Sequence, residues 1–153
     1  PRLCDVSIDE LVARGIRGLI VDLDNTLVAY RCADVLKDHL SWVELARERG
    51  LKIVMLSNNF IDRVRSVAAQ LRIECIPSAL KPLPTAFWRA QRTLKLRRQE
   101  IAVVGDQLFT DVLGARLFGF YTILTEPIEP HDFAVTRIFR FFERLVLPQR
   151  HLP

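Results

Sequence analysis

Short runs of apolar residues alternate along this chain with segments in which apolar residues recur every three or four positions. The apolar runs predict strands at 19–23, 51–56, 74–76, 101–104 and 120–124. The helical spacing predicts helices over about 7–14, 35–49, 60–71, 84–96 and 108–118. Strands that alternate with helices form parallel sheets covered by helices. The pattern therefore predicts an α/β fold with a mainly parallel five-stranded sheet and helices on both faces.

Four groups of polar residues lie at or near the ends of the predicted strands. In chain order they are Asp22-x-Asp24-x-Thr26, Ser57-Asn58-Asn59, Lys81-Pro82, and Gly105-Asp106 followed by Asp111. Ligands of such sheets bind beyond the carboxyl ends of the strands, so we expect the four groups to meet at one edge. Each group alone has a plainer interpretation as a turn, a helix cap or a solvated loop. Their occurrence together favours a shared site.

The first group places two carboxylates two residues apart at the end of a strand. In extended backbone, residues i and i+2 point to the same side, so Asp22 and Asp24 are expected to crowd one site. Two carboxylates held that close repel each other unless a proton or a cation lies between them. Hard oxygen ligands suit Mg²⁺, and the motif therefore predicts a magnesium site.

Length, charge and cysteine content narrow the class of protein. The 153 residues correspond to one domain, and no apolar stretch is long enough to predict a transmembrane helix. The three cysteines lack disulfide or zinc spacing, and no secretory signal is evident, so we expect a cytoplasmic protein. The net charge of +4 does not indicate nucleic acid, and no such partner is expected. The histidines lack ligand spacing and are interpreted as surface or loop residues: His39, His131 and His151.

The four groups, in this order, resemble the motifs of the haloacid dehalogenase (HAD) superfamily of phosphohydrolases. Over about residues 14–128 the chain is similar to the YqeG-type branch of subfamily IIIA, notably in the segment VVGDQLFTDVLG at 103–114. That branch is related to the phosphatidylglycerophosphate phosphatases of fungi and plants. The resemblance implies a three-layer Rossmann-like HAD fold, with residues 1–153 forming a single HAD-like phosphatase domain that uses Mg²⁺.

The resemblance also implies a role for each residue of the motifs. Asp22 would attack phosphorus and form an aspartyl-phosphate, and Asp24 would act as general acid and then general base. The Asp22 and Asp106 carboxylates and the Asp24 backbone carbonyl would hold Mg²⁺, supported by Asp111. Phosphoryl transfer depends mainly on positioning and charge neutralisation. The residues expected to bind the phosphate, or to orient the loop that does so, are Thr26, Ser57, Asn58 and Lys81.

The spacing of the motifs bears on the substrate. Many small-molecule phosphatases of this superfamily carry a cap domain between the first and second, or the second and third, motifs. Here about thirty and about twenty residues separate those motifs, and predicted helices and strands fill both intervals. We therefore expect a capless, open site that admits a phosphate attached to something large, namely a membrane lipid, a protein or a nucleic acid, with a phospholipid head group as the favoured partner.

A basic amphipathic segment at about 132–147 leaves two interpretations open. It combines arginines with several phenylalanines, and its apolar side could pack on the domain or lie on an anionic membrane as a peripheral contact.

The resemblance makes hydrolysis of phosphatidylglycerophosphate to phosphatidylglycerol the favoured function. One alternative is a phosphatase acting on a soluble nucleotide, sugar phosphate or phosphoprotein. Another is a non-catalytic scaffold or ribosome-associated protein, which the intact Asp22 and Asp24 disfavour. Self-association into a homo-oligomer stays open.

Overall fold

The computed structural model describes residues 1–129, in which strands and helices alternate as the hydrophobic pattern predicts. The strands are β1 (Gly18–Val21), β2 (Lys52–Leu56), β3 (Glu74–Ile76), β4 (Ile101–Gly105) and β5 (Tyr121–Leu124). The helices are α1 (Ile8–Ala13), α2 (Lys37–Glu48), α3 (Ile61–Leu71), α4 (Pro84–Leu94) and α5 (Gly114–Leu117). Two short 3-10 turns, Leu3–Asp5 and Arg98–Glu100, and a π-helical segment, Leu108–Leu113, complete the fold.

The five strands form one parallel sheet in the order β3-β2-β1-β4-β5. The chain runs outward from β1 through β2 to β3, then crosses back to place β4 on the other side of β1. The register pairs Val21 of β1 with Met55 of β2 and with Val104 of β4. The direction of winding thus reverses between β1 and β4, and this switch point is where ligands of open α/β sheets bind.

Alternate residues of the central strands enter two separate hydrophobic cores. Leu19 and Val21 pack with α1, α2 and α3 on one face of the sheet, whereas Ile20 packs with α4 and α5 on the other. This alternation follows from the two-residue period of a strand. Because helices cover both faces of the sheet, β1 is fully buried. The polar motifs follow the strands at the carboxyl edge of the sheet.

The predicted architecture is confirmed, with differences at element boundaries. The α/β class, the parallel five-stranded sheet and helices on both faces are all observed. Within residues 1–129 the intervals between the motifs contain no inserted cap. The helix expected over 108–118 is instead a π-helical segment followed by the short α5. The C-terminal segment at 132–147 lies outside the described residues.

His39 differs from its sequence interpretation. It lies in α2, is 3% exposed, and its Nδ1 is 3.0 Å from the carbonyl oxygen of Leu27. The imidazole thus ties α2 to the end of the loop that follows β1. The prediction of a surface position was wrong because a histidine that can satisfy a buried carbonyl is tolerated inside.

Among the described residues, none of the helices combines the length and the apolar character needed to cross a membrane.

Candidate active site

Buried polar side chains collect in the segments that follow β1, β2, β3 and β4. Within residues 1–129, most of the buried polar or charged residues lie there: Asp22, Asn25, Thr26, Ser57, Lys81 and Asp111. Polar groups are seldom buried unless they are paired. Their concentration at the carboxyl edge, beside the switch point, marks this edge as the candidate site.

Lys81 lies between two carboxylates. Its Nζ donates to Asp22 Oδ1 at 2.5 Å and to Asp111 Oδ1 at 2.6 Å. All three side chains are almost fully buried. Removing one member of such an arrangement leaves an uncompensated buried charge, so the three side chains depend on one another.

Asn58 holds Lys81 in place through the backbone. The Asn58 side-chain Nδ2 donates to the carbonyl oxygen of Lys81 at 3.0 Å, and the Lys81 N–H donates to Asn58 Oδ1 at 2.7 Å. The peptide bond between Lys81 and Pro82 is cis. The end of β2 therefore positions the loop after β3. The side-chain amide of Asn58 is engaged by this loop, and its phosphate contact stays a prediction.

Asp111 lies on the π-helical segment and reaches back over the end of β4. Its Oδ2 accepts a hydrogen bond from the Gln107 N–H at 3.3 Å. A Cβ atom added to Gly105 would lie 2.6 Å from Asp111 Cγ, which is too close for any other residue type at that position. Glycine at the end of β4 therefore permits the close approach of the Asp111 carboxylate.

Burial changes the charge balance of this cluster. Burial raises the pKa of Asp22 to about 8, with Asp111 and Asp106 adding to the increase and Lys81 opposing it. Burial, followed by the charge of Asp111, raises the pKa of Asp106 to about 7. For Lys81, burial lowers the pKa, but the carboxylates of Asp111 and Asp22 outweigh it, so the pKa lies above its ordinary value. Lys81 is thus charged at neutral pH, whereas Asp22 and Asp106 keep their protons to a higher pH than an ordinary aspartate does.

The same carboxylates form a set of donors for a cation. One oxygen each from Asp22, Asp106 and Asp111 lies within 4.8 Å of the others. Asp22 Oδ2 is buried and accepts no hydrogen bond from any residue in the described range. A buried acceptor without a donor is costly, and a hard divalent cation would satisfy it. The residues present therefore fit a cation such as Mg²⁺.

The two aspartates of the first motif have different partners. β1 ends at Val21, and the Asp24 carboxylate lies against the start of α3. Its Oδ1 accepts from Arg63 Nη1 at 2.6 Å, and its Oδ2 accepts from Asn59 Nδ2 at 2.8 Å. The carboxylates that lie close together are therefore those of Asp22, Asp106 and Asp111, rather than those of Asp22 and Asp24 as expected. The strand expected to continue through Leu23 ends at Val21 and the chain bends at Leu23, which explains the difference.

Thr26 and Ser57 lie beside this cluster and are buried. The Thr26 hydroxyl donates to Asp106 Oδ1 at 3.5 Å, a long contact that joins the first and fourth motifs. Ser57 Oγ accepts from the Asn59 N–H at 3.1 Å. The structure thus brings all four predicted groups to one edge, while the chemical role of each side chain stays a prediction.

Sequence reasoning missed the contacts that Asn59 and Arg63 make with Asp24. Phe60 occupies the N-cap position of α3 without a side-chain capping bond, and the Asn59 side-chain amide that precedes it donates to Asp24. Arg63 also donates to the carbonyl oxygen of Cys32 at 2.6 and 3.0 Å. Arg63 and Asp24 lie 39 residues apart, so no local pattern in the sequence indicated this contact.

Comparison with known proteins identifies relatives of this chain. A family model described as haloacid dehalogenase-like hydrolase matches residues 30–119. The chain is 40% identical over 139 residues to the "Probable phosphatase YqeG" of Bacillus subtilis, covering 91% of this chain and 81% of that protein.

Two more distant similarities agree with the fold. The chain is 24% identical over 127 residues to "Phosphatidylglycerophosphate phosphatase 1, chloroplastic/mitochondrial" of Arabidopsis thaliana, covering 77% of this chain but only 36% of that protein. A solved structure described as a predicted HAD-like family hydrolase from Porphyromonas gingivalis superposes with a TM-score of 0.59 at 14% identity. It covers 82% of this chain and 98% of that one.

The raised carboxyl pKa values predict that Mg²⁺ and protons compete for the cluster. Because the pKa of Asp22 is about 8 and that of Asp106 about 7, lowering the pH protonates both carboxylates. Mg²⁺ affinity is therefore expected to fall as the pH is lowered from about 8 to about 6, with protons released on binding. Isothermal titration calorimetry in two buffers of different ionisation enthalpy measures both quantities. The surface variant Asp9→Asn is the control, and an affinity independent of pH without proton release would contradict the prediction.

Proposed function

The chain belongs to the haloacid dehalogenase-like hydrolases and is a phosphatase, and from this premise we propose that it acts through an aspartyl-phosphate on Asp22 with the help of Mg²⁺. The observation that carries the proposal is the environment of Asp22. One of its carboxylate oxygens is bonded to Lys81, and the other is buried without a hydrogen-bond donor in the described range. An oxygen in that setting is available to phosphorus or to a cation.

In the first half of the reaction, an Asp22 oxygen forms a bond to phosphorus while the bond from phosphorus to the leaving oxygen breaks. Asp24 gives its proton to that oxygen. In the second half, Asp24 takes a proton from water as the water oxygen attacks phosphorus, and the bond to Asp22 breaks to release inorganic phosphate. Lys81 neutralises charge on the phosphoryl oxygens, and the Ser57 hydroxyl bonds one of them.

The Asp22 and Asp106 carboxylates and the Asp24 backbone carbonyl would hold Mg²⁺, with Asp111 supporting the site. When bound, the ion neutralises negative charge on the phosphoryl group. The raised pKa values of Asp22 and Asp106 support this assignment, since a cation takes the place of the protons that these carboxyl groups otherwise retain. Asp111 is already paired with Lys81, which suits a supporting role.

The proposed substrate is phosphatidylglycerophosphate, which would be hydrolysed to phosphatidylglycerol. Similarity to the plant phosphatase and the lack of a cap among the described residues support this choice. A site without a lid accepts a head group that is still anchored in a membrane. The enzyme would then work in the cytoplasm and contact the membrane peripherally.

The role of Asp22 predicts that Asp22→Asn abolishes Mg²⁺-dependent hydrolysis of an aryl phosphate. The amide is a poor nucleophile, so turnover should fall by about a thousandfold or more. Circular dichroism and thermal unfolding show whether the variant is folded. Glu44→Ala, on the exposed face of α2, is the matched control and should retain full activity. Equal activity in the Asp22 variant would reject this residue as the nucleophile.

The lipid assignment predicts a preference among substrates. Phosphate release from phosphatidylglycerophosphate in mixed micelles should exceed release from a panel of soluble nucleotides, sugar phosphates and a phosphopeptide, measured as kcat/KM. The reverse order would reject the lipid while leaving the phosphatase chemistry intact.

The contact between Arg63 and Asp24 predicts a positioning role for the arginine. Arg63→Met removes the ion pair and leaves the Asp24 carboxylate with the hydrogen bond from Asn59, and a misplaced acid–base group costs about tenfold to a hundredfold in kcat. KM should change little, and Arg63→Lys should recover part of the rate. Arg65→Met, on the same helix, serves as control. An unchanged kcat and pH profile in Arg63→Met would show that the contact is only structural.

A further inference from the structure

Several large apolar side chains are exposed around the candidate site. Phe60 is 83% exposed, Leu80 is 64%, Leu108 is 53% and Leu83 is 48%. We refer to these four residues as the apolar rim. Isolated exposed apolar residues are common, but a group of them at one site marks a contact surface.

The members of the apolar rim lie on the segments that carry the site residues. Phe60 follows Asn59, whose side chain bonds Asp24. Leu80 directly precedes Lys81, and Leu83, two residues after Lys81, is the N-cap residue that precedes α4. Leu108 opens the π-helical segment two residues after Asp106. The rim therefore extends along the carboxyl edge of β2, β3 and β4, beside the buried polar cluster.

Leu80 adds a second observation. Its φ of +61° is in the left-handed region, where glycine or asparagine is favoured and a leucine is strained. Since the side chain is mostly exposed, packing within the described residues does not compensate for that strain. Such a side chain contributes favourable burial free energy only when another surface covers it.

We propose that the apolar rim docks on an anionic lipid bilayer and seals the open site against it. This inference rests on the proposed function, because the phosphate of a membrane lipid is presented at the surface of the bilayer. Docking buries the four side chains in the interface and excludes water from a site that has no cap in residues 1–129. The enzyme then takes its substrate without removing it from the membrane.

The position and charge of the chain favour a bilayer over a second copy of the protein. The Ile128 N–H donates to the carbonyl oxygen of Asn25 at 3.0 Å, so the described part of the chain ends beside the loop that carries Asp22 and Asp24. The residues that follow include the arginines of the 132–147 segment and four of the chain's nine phenylalanines. An anionic lipid surface attracts a segment with this basic and aromatic composition, and the net charge of +4 acts in the same direction.

Vesicle binding of a double variant tests the proposal. Phe60→Ser with Leu80→Asn removes two rim side chains, and asparagine suits the left-handed backbone at position 80. The matched control, Leu45→Ser with Leu117→Ser, removes two exposed leucines near the ends of α2 and α5, toward the opposite edge of the sheet. The full chain is floated with vesicles of phosphatidylglycerol and phosphatidylcholine. These vesicles contain no phosphomonoester, so binding is measured independently of which substrate is hydrolysed.

The wild type and the control should partition onto the vesicles alike. The rim variant should bind the vesicles at least about tenfold more weakly. All three should hydrolyse a soluble aryl phosphate at equal rates, which shows that they are folded. If the rim variant loses this activity, Leu83→Ser with Leu108→Ser is measured in its place. Absence of wild-type binding, equal binding of the rim variant, or an equal loss in the control would each overturn the proposal. So would a wild-type dimer that the rim substitutions convert to a monomer.

Discussion

The structure depends on burying one ammonium group among three carboxylates. Lys81 bonds Asp22 and Asp111 directly, and Asp106 lies within the same cluster. With every group ionised, one positive charge faces three negative charges, and a deficit of two remains. Burial makes that deficit costly, which is why the pKa values of Asp22 and Asp106 are raised. A divalent cation is the species whose charge matches the deficit.

The fold brings these groups together over long separations in sequence. Lys81 lies 59 residues from Asp22 and 30 from Asp111, so neither pair could form by local structure. The reversal of winding between β1 and β4 places their carboxyl ends side by side, and Asn58 fixes the Lys81 loop from β2. Gly105 then lets Asp111 close the cluster. Together, these features hold the charged side chains close to one another in the buried cluster.

The sequence was informative about elements and motifs because hydrophobic periodicity and strand-end polar residues follow directly from sheet geometry. It therefore predicted the parallel sheet and the meeting of Asp22, Lys81 and Asp106 at one edge. It could not predict partners chosen by tertiary packing. Arg63 and Asp24 lie 39 residues apart, and nothing local indicates their ion pair. The hydrogen bond between buried His39 and Leu27 likewise depends on how α2 packs against the loop after β1.

Within the described residues, the phosphatase site has a buried cluster of charged groups with the exposed apolar rim beside it. The central chemical claim is that the buried Asp22 becomes transiently phosphorylated. The most direct measurement is rapid quenching during turnover, followed by peptide mass spectrometry to locate a covalent phosphoryl group. We expect the group on the Asp22 side chain, and we expect it to disappear as substrate is exhausted. A phosphoryl group on another residue, or none during steady turnover, would contradict it.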